Sequence, residues 1–224
     1  MNLSAEVLTP WLMAIGWLLY LCTLGASIYY APFKAVARDP RKQHFVFAGT
    51  LILAFFWMLE INLTAVLSIH PLLVTAAVLI FGWSLTLLMG SVALLALSFF
   101  GRSDLVAFPI NAIVTVVIPA CVTWLMLRQV SRARFQNIFL YILGAGFAGA
   151  ALSVVVCCLA AGVLFSIINS PLLPTVELNS WPLLLLLMFP EGFINGTLVS
   201  ATTVFLPHLV KTFDEDRYLH QDQD

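Results

Sequence analysis

The chain has 224 residues, of which 62% are hydrophobic and 9% are charged. Soluble domains usually carry about 25% charged residues, so this composition excludes a soluble protein and indicates a polytopic membrane protein. The net charge of -1 says nothing about partners, and nothing in the sequence resembles a nucleic-acid-binding patch. No stretch between the apolar runs is long enough for a soluble domain. We therefore expect a single membrane domain over residues 1–210 and a polar tail over residues 211–224.

The first apolar run, Trp11–Ala31, has the length of a membrane helix, which needs about 20 apolar residues. The first charge of the chain is Glu6, and no basic segment precedes the run. A cleavable signal peptide begins with such a segment, so we interpret this run as a retained helix. The positive-inside rule places the loop that follows in the cytoplasm. Its basic residues are Lys34, Arg38, Arg41 and Lys42.

The 59 residues from Gln43 to Gly101 contain no Lys, Arg or Asp and one acidic residue, Glu60. This length holds about three membrane crossings rather than two. We predict that the apolar run Pro71–Phe100 crosses twice and reverses at Phe81-Gly82-Trp83, since glycine permits a tight turn and tryptophan suits an interface. The first crossing, Ile69–Phe81, is too short for a full bilayer core. It is therefore expected to be a partly re-entrant helix shielded by protein.

Three further apolar runs follow, Leu105–Leu127, Ile138–Ile168 and Trp181–Val210. The predicted fold is an all-α transmembrane helix bundle of about seven helices, with the N-terminus outside and the C-terminus cytoplasmic. Only Arg102 of the ten basic residues then lies outside. If the third run crosses once, the bundle has six helices and an arginine-rich loop falls outside, against the rule.

His70, directly before Pro71, is predicted at the outer mouth of the short helix. A neutral imidazole there can bind a divalent metal ion. The alternative is an interfacial histidine bonded to a carbonyl group. Glu60, near the outer end of the second helix, is either an acid that lines a pocket beside His70 or a carboxyl group in interfacial water.

Three polar residues lie within the later apolar runs. Asn111 is expected to hydrogen-bond across helices, as a pocket residue or as a polar strut. Glu191 follows Pro190 near mid-membrane, where a carboxyl group needs a partner or is protonated. Asn195 lies on the same face one turn later. If Glu191 is a structural residue that locks helices together, Glu191→Gln is expected to fold normally.

Several classes of function have no signature here. The four cysteines, which we interpret as packing residues, lie in apolar runs without metal-site spacing. The sequence also contains no H-E-x-x-H, G-x-S-x-G or P-loop motif, which predicts a non-enzyme that cannot power transport by its own ATPase site.

The order of these motifs resembles a known family. His70, Gly82-Trp83, Phe100-Gly101, Asn111 and Glu191 stand where the cobalt/nickel substrate-capture subunits (CbiM/NikM type) of energy-coupling-factor ABC transporters carry their motifs. The resemblance covers roughly residues 45 to 215. It implies a seven-helix fold in the bacterial inner membrane, Co²⁺ or Ni²⁺ as substrate, no covalent cofactor, and partner subunits for coupling and ATP hydrolysis.

The chain departs from that family at its second residue. Characterised members begin Met-His and bind the metal through the terminal amine, that histidine and the later histidine. This chain has Asn2, so His70 alone remains of that set. Capture of another small solute, with Glu60 or Glu191 as ligands, is an open alternative. A non-transporting membrane scaffold or assembly protein is the rival hypothesis from another class.

Overall fold

The computed structural model describes residues 2–3, 8–62, 67–134, 137–168, 173–215 and 218. These residues contain eight helices, which form a bundle, and α6 and α7 each include a stretch of π-helix. The helices are α1 Pro10–Tyr30, α2 Phe33–Ala37, α3 Pro40–Met58, α4 Val74–Phe81, α5 Trp83–Phe99, α6 Phe108–Val130, α7 Leu140–Ile167 and α8 Leu173–Phe205. Apart from the five-residue α2, they match the seven helices predicted from the charge pattern.

Within the described residues, three helices are long and apolar enough to cross a membrane: α1, α6 and α7. The helix α5 is shorter but also apolar. The all-α membrane bundle predicted from composition is confirmed. The sequence did not predict a small antiparallel sheet of three strands, in the order β1, β3, β2. Its strands are β1 Asn2–Leu3, β2 Ile61–Asn62 and β3 Leu67–Ile69.

The short helix α4 lies at the centre of the bundle. All eight of its residues are buried, and α5, α6, α7 and α8 pack around it. Eight residues rise only about 12 Å, well short of the ~30 Å hydrocarbon core, so protein must shield the polar groups at both helix ends. The predicted reversal follows at Gly82, whose φ of 85° and ψ of 160° suit glycine alone.

The bundle has two chemically different ends. The sheet end carries β1, β2 and β3 together with Glu60, His70 and Arg102. The basic end carries the loop between α1 and α3, the Gly82 turn, and the residues that follow α8. Apart from Arg102, the described Lys and Arg residues lie at the basic end.

The start of the predicted polar tail is part of the bundle. The backbone N–H of Lys211 donates to the Ile80 carbonyl oxygen at 2.8 Å. Phe213 and Tyr218 are buried against Tyr141, with ring centroids 5.2 and 5.1 Å from it. A boundary at residue 210 therefore cuts through packed structure, because these aromatic rings bury apolar surface. The last residues, 219–224, lie outside the described residues.

Candidate functional site

The site begins with the non-helical segment His70–Leu73, which joins β3 to α4. Leu73 has a φ of 56°, a left-handed conformation that is strained for a residue with a side chain. Trp57 of α3 holds the segment from one side, since its indole N–H donates to the Leu72 carbonyl oxygen at 2.9 Å. A strained conformation persists only where neighbouring groups fix it, and the contacts from α8 complete that support.

Glu191 of α8 binds the same segment from the other side. Its Oε2 accepts the backbone N–H of Leu72 at 2.8 Å, and its Oε1 accepts that of Leu73 at 2.7 Å. These N–H groups stand at the start of α4, where no earlier turn supplies carbonyl acceptors. The sequence predicts that the Glu191 carboxyl group needs a partner. That partner is the pair of backbone N–H groups in the non-helical segment.

Asn195 extends this contact by one helical turn. Its Oδ1 accepts the backbone N–H of Ala76 at 2.8 Å, and its Nδ2 donates to Glu191 Oε1, also at 2.8 Å. Glu191 and Asn195 together cap the N-terminus of α4 from a different helix. Both oxygens of Glu191 accept N–H donors, so the Gln side chain can replace only one of them. Glu191→Gln, which the sequence analysis expects to fold normally, would therefore lose one of these hydrogen bonds.

His70 lies buried beside Trp57, with 5.4 Å between the ring centroids. Its Nδ1 is 3.1 Å from the Pro71 carbonyl oxygen. Because a carbonyl oxygen only accepts, this contact assigns a proton to Nδ1. In a neutral ring the lone pair is then on Nε2, the form of imidazole that coordinates metals. The carbonyl-bonded histidine and the metal ligand, posed as alternatives from sequence, are thus compatible in one side chain.

His70 and Glu191 line the same cavity, which has a volume of about 300 Å³. It lies between the non-helical segment, α7 and α8, and its other walls are mainly apolar. Cys157 and Cys158 also line it, and the Cys157 thiol donates to the Val114 carbonyl oxygen at 3.2 Å. From the sequence we interpreted both cysteines as packing residues. The residues around them carry no signal that the segment His70–Leu73, more than 80 residues earlier, lines the same cavity.

Asn111 holds the N-terminal strand. Its Oδ1 accepts the backbone N–H of Leu3 at 2.8 Å, and its Nδ2 donates to the Leu3 carbonyl oxygen at 3.1 Å. β1 pairs with β3, so that Asn2 lies opposite Ser68, two residues before His70. Asn111 was predicted to hydrogen-bond to another helix. Its partner is instead the strand β1. This clamp holds Asn2 and Leu3 against the strand that leads to His70.

Glu60 lies at the rim of the sheet end. Its Oε2 accepts the Ser68 hydroxyl at 3.0 Å, and its Oε1 is 3.7 Å from Arg102 Nη1. The arginine side chain is 55% exposed, and such surface ion pairs contribute little to stability. Glu60 is not one of the described residues that line the cavity beside His70. It joins β3 to the loop after α5.

The ligand set of a metal ion is not complete in the described part of the chain. There, no group of three or more His, Cys, Asp or Glu side chains is close enough to hold an ion. Residues 1 and 4–7 lie outside the described residues. The terminal amine, which the family resemblance places among the ligands, is one of the groups not described.

Comparison with known proteins agrees with this architecture. Residues 2–209 match the CbiM family, described as the cobalt uptake substrate-specific transmembrane region. The chain belongs to the CbiM family. The match covers nearly the whole sequence, from β1 to the end of the short 3₁₀ turn after α8, so the family assignment includes both the N-terminal strand and the cavity.

Two solved structures share the fold of this CbiM-family chain. One is the crystal structure of a truncated transition metal transporter, 15% identical, with a TM-score of 0.66 over 91% of this chain and 98% of the other. The second, a transition metal transporter, is 14% identical, with a TM-score of 0.67 over 91% and 93% of the two chains. At such identities the likeness shows the fold alone. No curated protein sequence matches the chain.

Proposed function

We propose that the protein is the membrane-embedded substrate-capture subunit of an energy-coupling-factor ABC transporter and that it takes up a divalent transition metal ion, Co²⁺ or Ni²⁺. The observation that carries this proposal is the placement of His70 on the wall of a cavity beside the clamped N-terminal strand. Family membership and the printed names of the two similar structures support the same substrate class.

The site supplies part of a metal-binding sphere. His70 is the imidazole ligand that we propose, and Asn111 and β3 hold Leu3 and Asn2 opposite the segment that precedes it. The terminal amine, whose position lies outside the described residues, is proposed as a further ligand. Glu191 contributes indirectly, because it fixes the segment that carries the histidine. The protein performs no catalytic step in this proposal. Separate coupling and ATPase subunits provide the energy, since the sequence contains no P-loop.

The orientation proposed from the charges fits the two ends of the bundle. The basic end faces the cytoplasm under the positive-inside rule, and the sheet end faces outward in the inner membrane. The N-terminus is then outside and the C-terminus inside. The cavity beside His70 therefore receives its substrate from the outer side, as uptake requires.

ATP-dependent uptake tests this function. Cells that express the chain with a coupling subunit and ATPase subunits are expected to accumulate Co²⁺ or Ni²⁺, and His70→Ala is expected to abolish accumulation. His44→Ala, an exposed histidine at the basic end, serves as the matched control and is expected to retain uptake. Equal uptake by the His70→Ala variant would contradict the proposed role.

The rival function, a non-transporting membrane scaffold, has one observation in its favour. Glu191, Asn195 and Asn111 all bond to backbone groups of this chain, as structural residues would. The two functions differ in their response to metal. A scaffold would bind neither Co²⁺ nor Ni²⁺ above background and would still assemble with its membrane partners after His70→Ala.

A further inference from the structure

A groove on the membrane-facing side of the bundle lies apart from the cavity beside His70. It runs between α3 and α5 and has a volume of about 350 Å³. Phe47, Leu51 and Val92 form exposed walls, and Ala54 and Ala96 leave room between the helices. The only hydroxyl in its described lining, that of Thr50, donates to the Val46 carbonyl oxygen at 2.9 Å. The groove therefore presents an almost wholly apolar surface.

The groove opens at the basic end, beside a positively charged loop. Val36 and Gln43 line this opening. Four exposed basic side chains lie within a few residues of these two positions: Lys34, Arg38, Arg41 and Lys42.

Asp39 is the one acidic residue in this loop. Its Oδ1 accepts the backbone N–H of Arg41 at 2.9 Å, so that Asp39 caps the N-terminus of α3. These four basic residues outnumber the single acid, so the loop at the mouth of the groove is positively charged.

We propose that this groove binds one acyl chain of an anionic phospholipid whose phosphate lies on the basic loop. From Gln43 to Ala54 the groove extends 11 residues along α3, or about 16 Å. One leaflet contributes about 15 Å to the hydrocarbon core, so the groove has the length of a single leaflet. A positive mouth on an apolar slot of that length matches the charge and shape of such a lipid.

A partner helix fits the groove less well. A helix with its side chains is 10–12 Å wide, so a 16 Å length of it fills more than about 1,000 Å³. The groove holds about 350 Å³ and has a charged mouth, which an apolar transmembrane helix would leave unused. The lipid proposal does not depend on the metal-uptake function, because no described residue lines both the groove and the cavity beside His70.

Native mass spectrometry of the detergent-purified protein tests the proposal with two probes. Phosphatidylglycerol and phosphatidylcholine with identical acyl chains are added in equal amounts. Each basic residue near an anionic lipid contributes about 1 kcal/mol, a factor of about five in affinity. We expect phosphatidylglycerol to bind at least about fivefold better. Equal binding of the two lipids would overturn the proposal.

Variants separate the headgroup contact from the chain contact. Replacing all four basic residues of the loop by Gln is expected to remove the preference for phosphatidylglycerol. The double variant Arg128→Gln with Arg132→Gln, at the same end but outside the groove, is expected to keep it.

Filling the groove with Ala54→Leu and Ala96→Leu is expected to remove bound phosphatidylglycerol. Val163→Phe, on the exposed face of α7, is the control. A filled groove that retains the lipid but no longer assembles with a coupling subunit would identify a partner helix instead.

Discussion

The two ends of α4 are both capped by distant parts of the chain, but by different kinds of group. At the sheet end, the side chains of Glu191 and Asn195 accept the helix N–H groups. At the basic end, the backbone N–H groups of Lys211 and Thr212 donate to the carbonyl oxygens of Ile80 and Leu79. Side-chain caps depend on residue identity, whereas backbone caps tolerate most substitutions. The end that holds His70 is therefore the end where sequence is more tightly constrained.

The largest expected effect is in an experiment that tests which end of the bundle faces which side of the membrane. It labels introduced cysteines, and each cysteine either reacts or does not. Cysteine introduced at Ser103, at the sheet end, is expected to react with an impermeant thiol reagent in intact cells. Cysteine at Ser131, at the basic end, is expected to react only after the membrane is opened. The unmodified protein controls for the four native cysteines. Labelling of Ser131→Cys alone in intact cells would invert the proposed orientation.

The next effect tests the side-chain cap. Glu191→Ala leaves the N–H groups of Leu72 and Leu73 without their acceptor, and each unsatisfied buried group costs roughly 1–3 kcal/mol. The Asn195 amide loses one bond but keeps the one to the Glu191 carbonyl oxygen. We expect a loss of about 3 kcal/mol or more in the free energy of unfolding. Glu191→Gln keeps one acceptor and is expected to lose about 1–2 kcal/mol.

Thermal unfolding in detergent measures both Glu191 variants against Glu215→Ala, which alters an exposed acid after α8. Wild-type stability of Glu191→Ala would show that the side-chain cap contributes nothing. Wild-type stability of Glu191→Gln alone would show that the second oxygen is dispensable, as the sequence first suggested.

Gly82 is the position near the basic end where residue identity is expected to matter most. Its φ of 85° and ψ of 160° are nearly exclusive to glycine, and a Cβ there would lie 2.7 Å from Lys211 Cδ. Gly82→Ala is expected to destabilise the protein by about 2 kcal/mol, mostly through backbone strain. Gly25→Ala, with nothing within 4 Å of the added carbon, is the control in the same unfolding assay. A similar loss in both variants would mean that the turn is not strained.

The smallest expected effect tests how well the basic end of α4 tolerates a side-chain substitution. Thr212→Val removes a hydroxyl that donates to the Leu79 carbonyl oxygen at 2.7 Å but leaves both backbone caps in place. We expect a loss of about 1 kcal/mol and unchanged metal binding. Thr202→Val, whose hydroxyl bonds only within its own helix, is expected to lose less. A loss of metal binding in Thr212→Val would mean that the two ends are coupled through α4.

Charge and hydropathy along the chain were sufficient to predict the order of the long helices and the short helix α4. The arginine distribution predicted that the run Pro71–Phe100 crosses twice, and Gly82 marked the reversal. Both are local or additive signals. The partners of the site residues carry no such signal. Glu191 bonds to Leu72 across 119 residues, and Asn111 bonds to Leu3 across 108. The strands, with two or three residues each, are too short to show a periodicity.

The most direct test of the account measures Co²⁺ and Ni²⁺ bound to the purified full-length protein and to His70→Ala. The chain holds His70 in the tautomer that coordinates metals, on the wall of a cavity beside the clamped N-terminal strand. The account predicts about one ion per wild-type protein and at least about a tenfold weaker affinity in His70→Ala, since losing a metal ligand removes a coordination bond. His44→Ala is the control and is expected to bind like the wild type. Equal affinity in wild type and His70→Ala would contradict the proposed metal site.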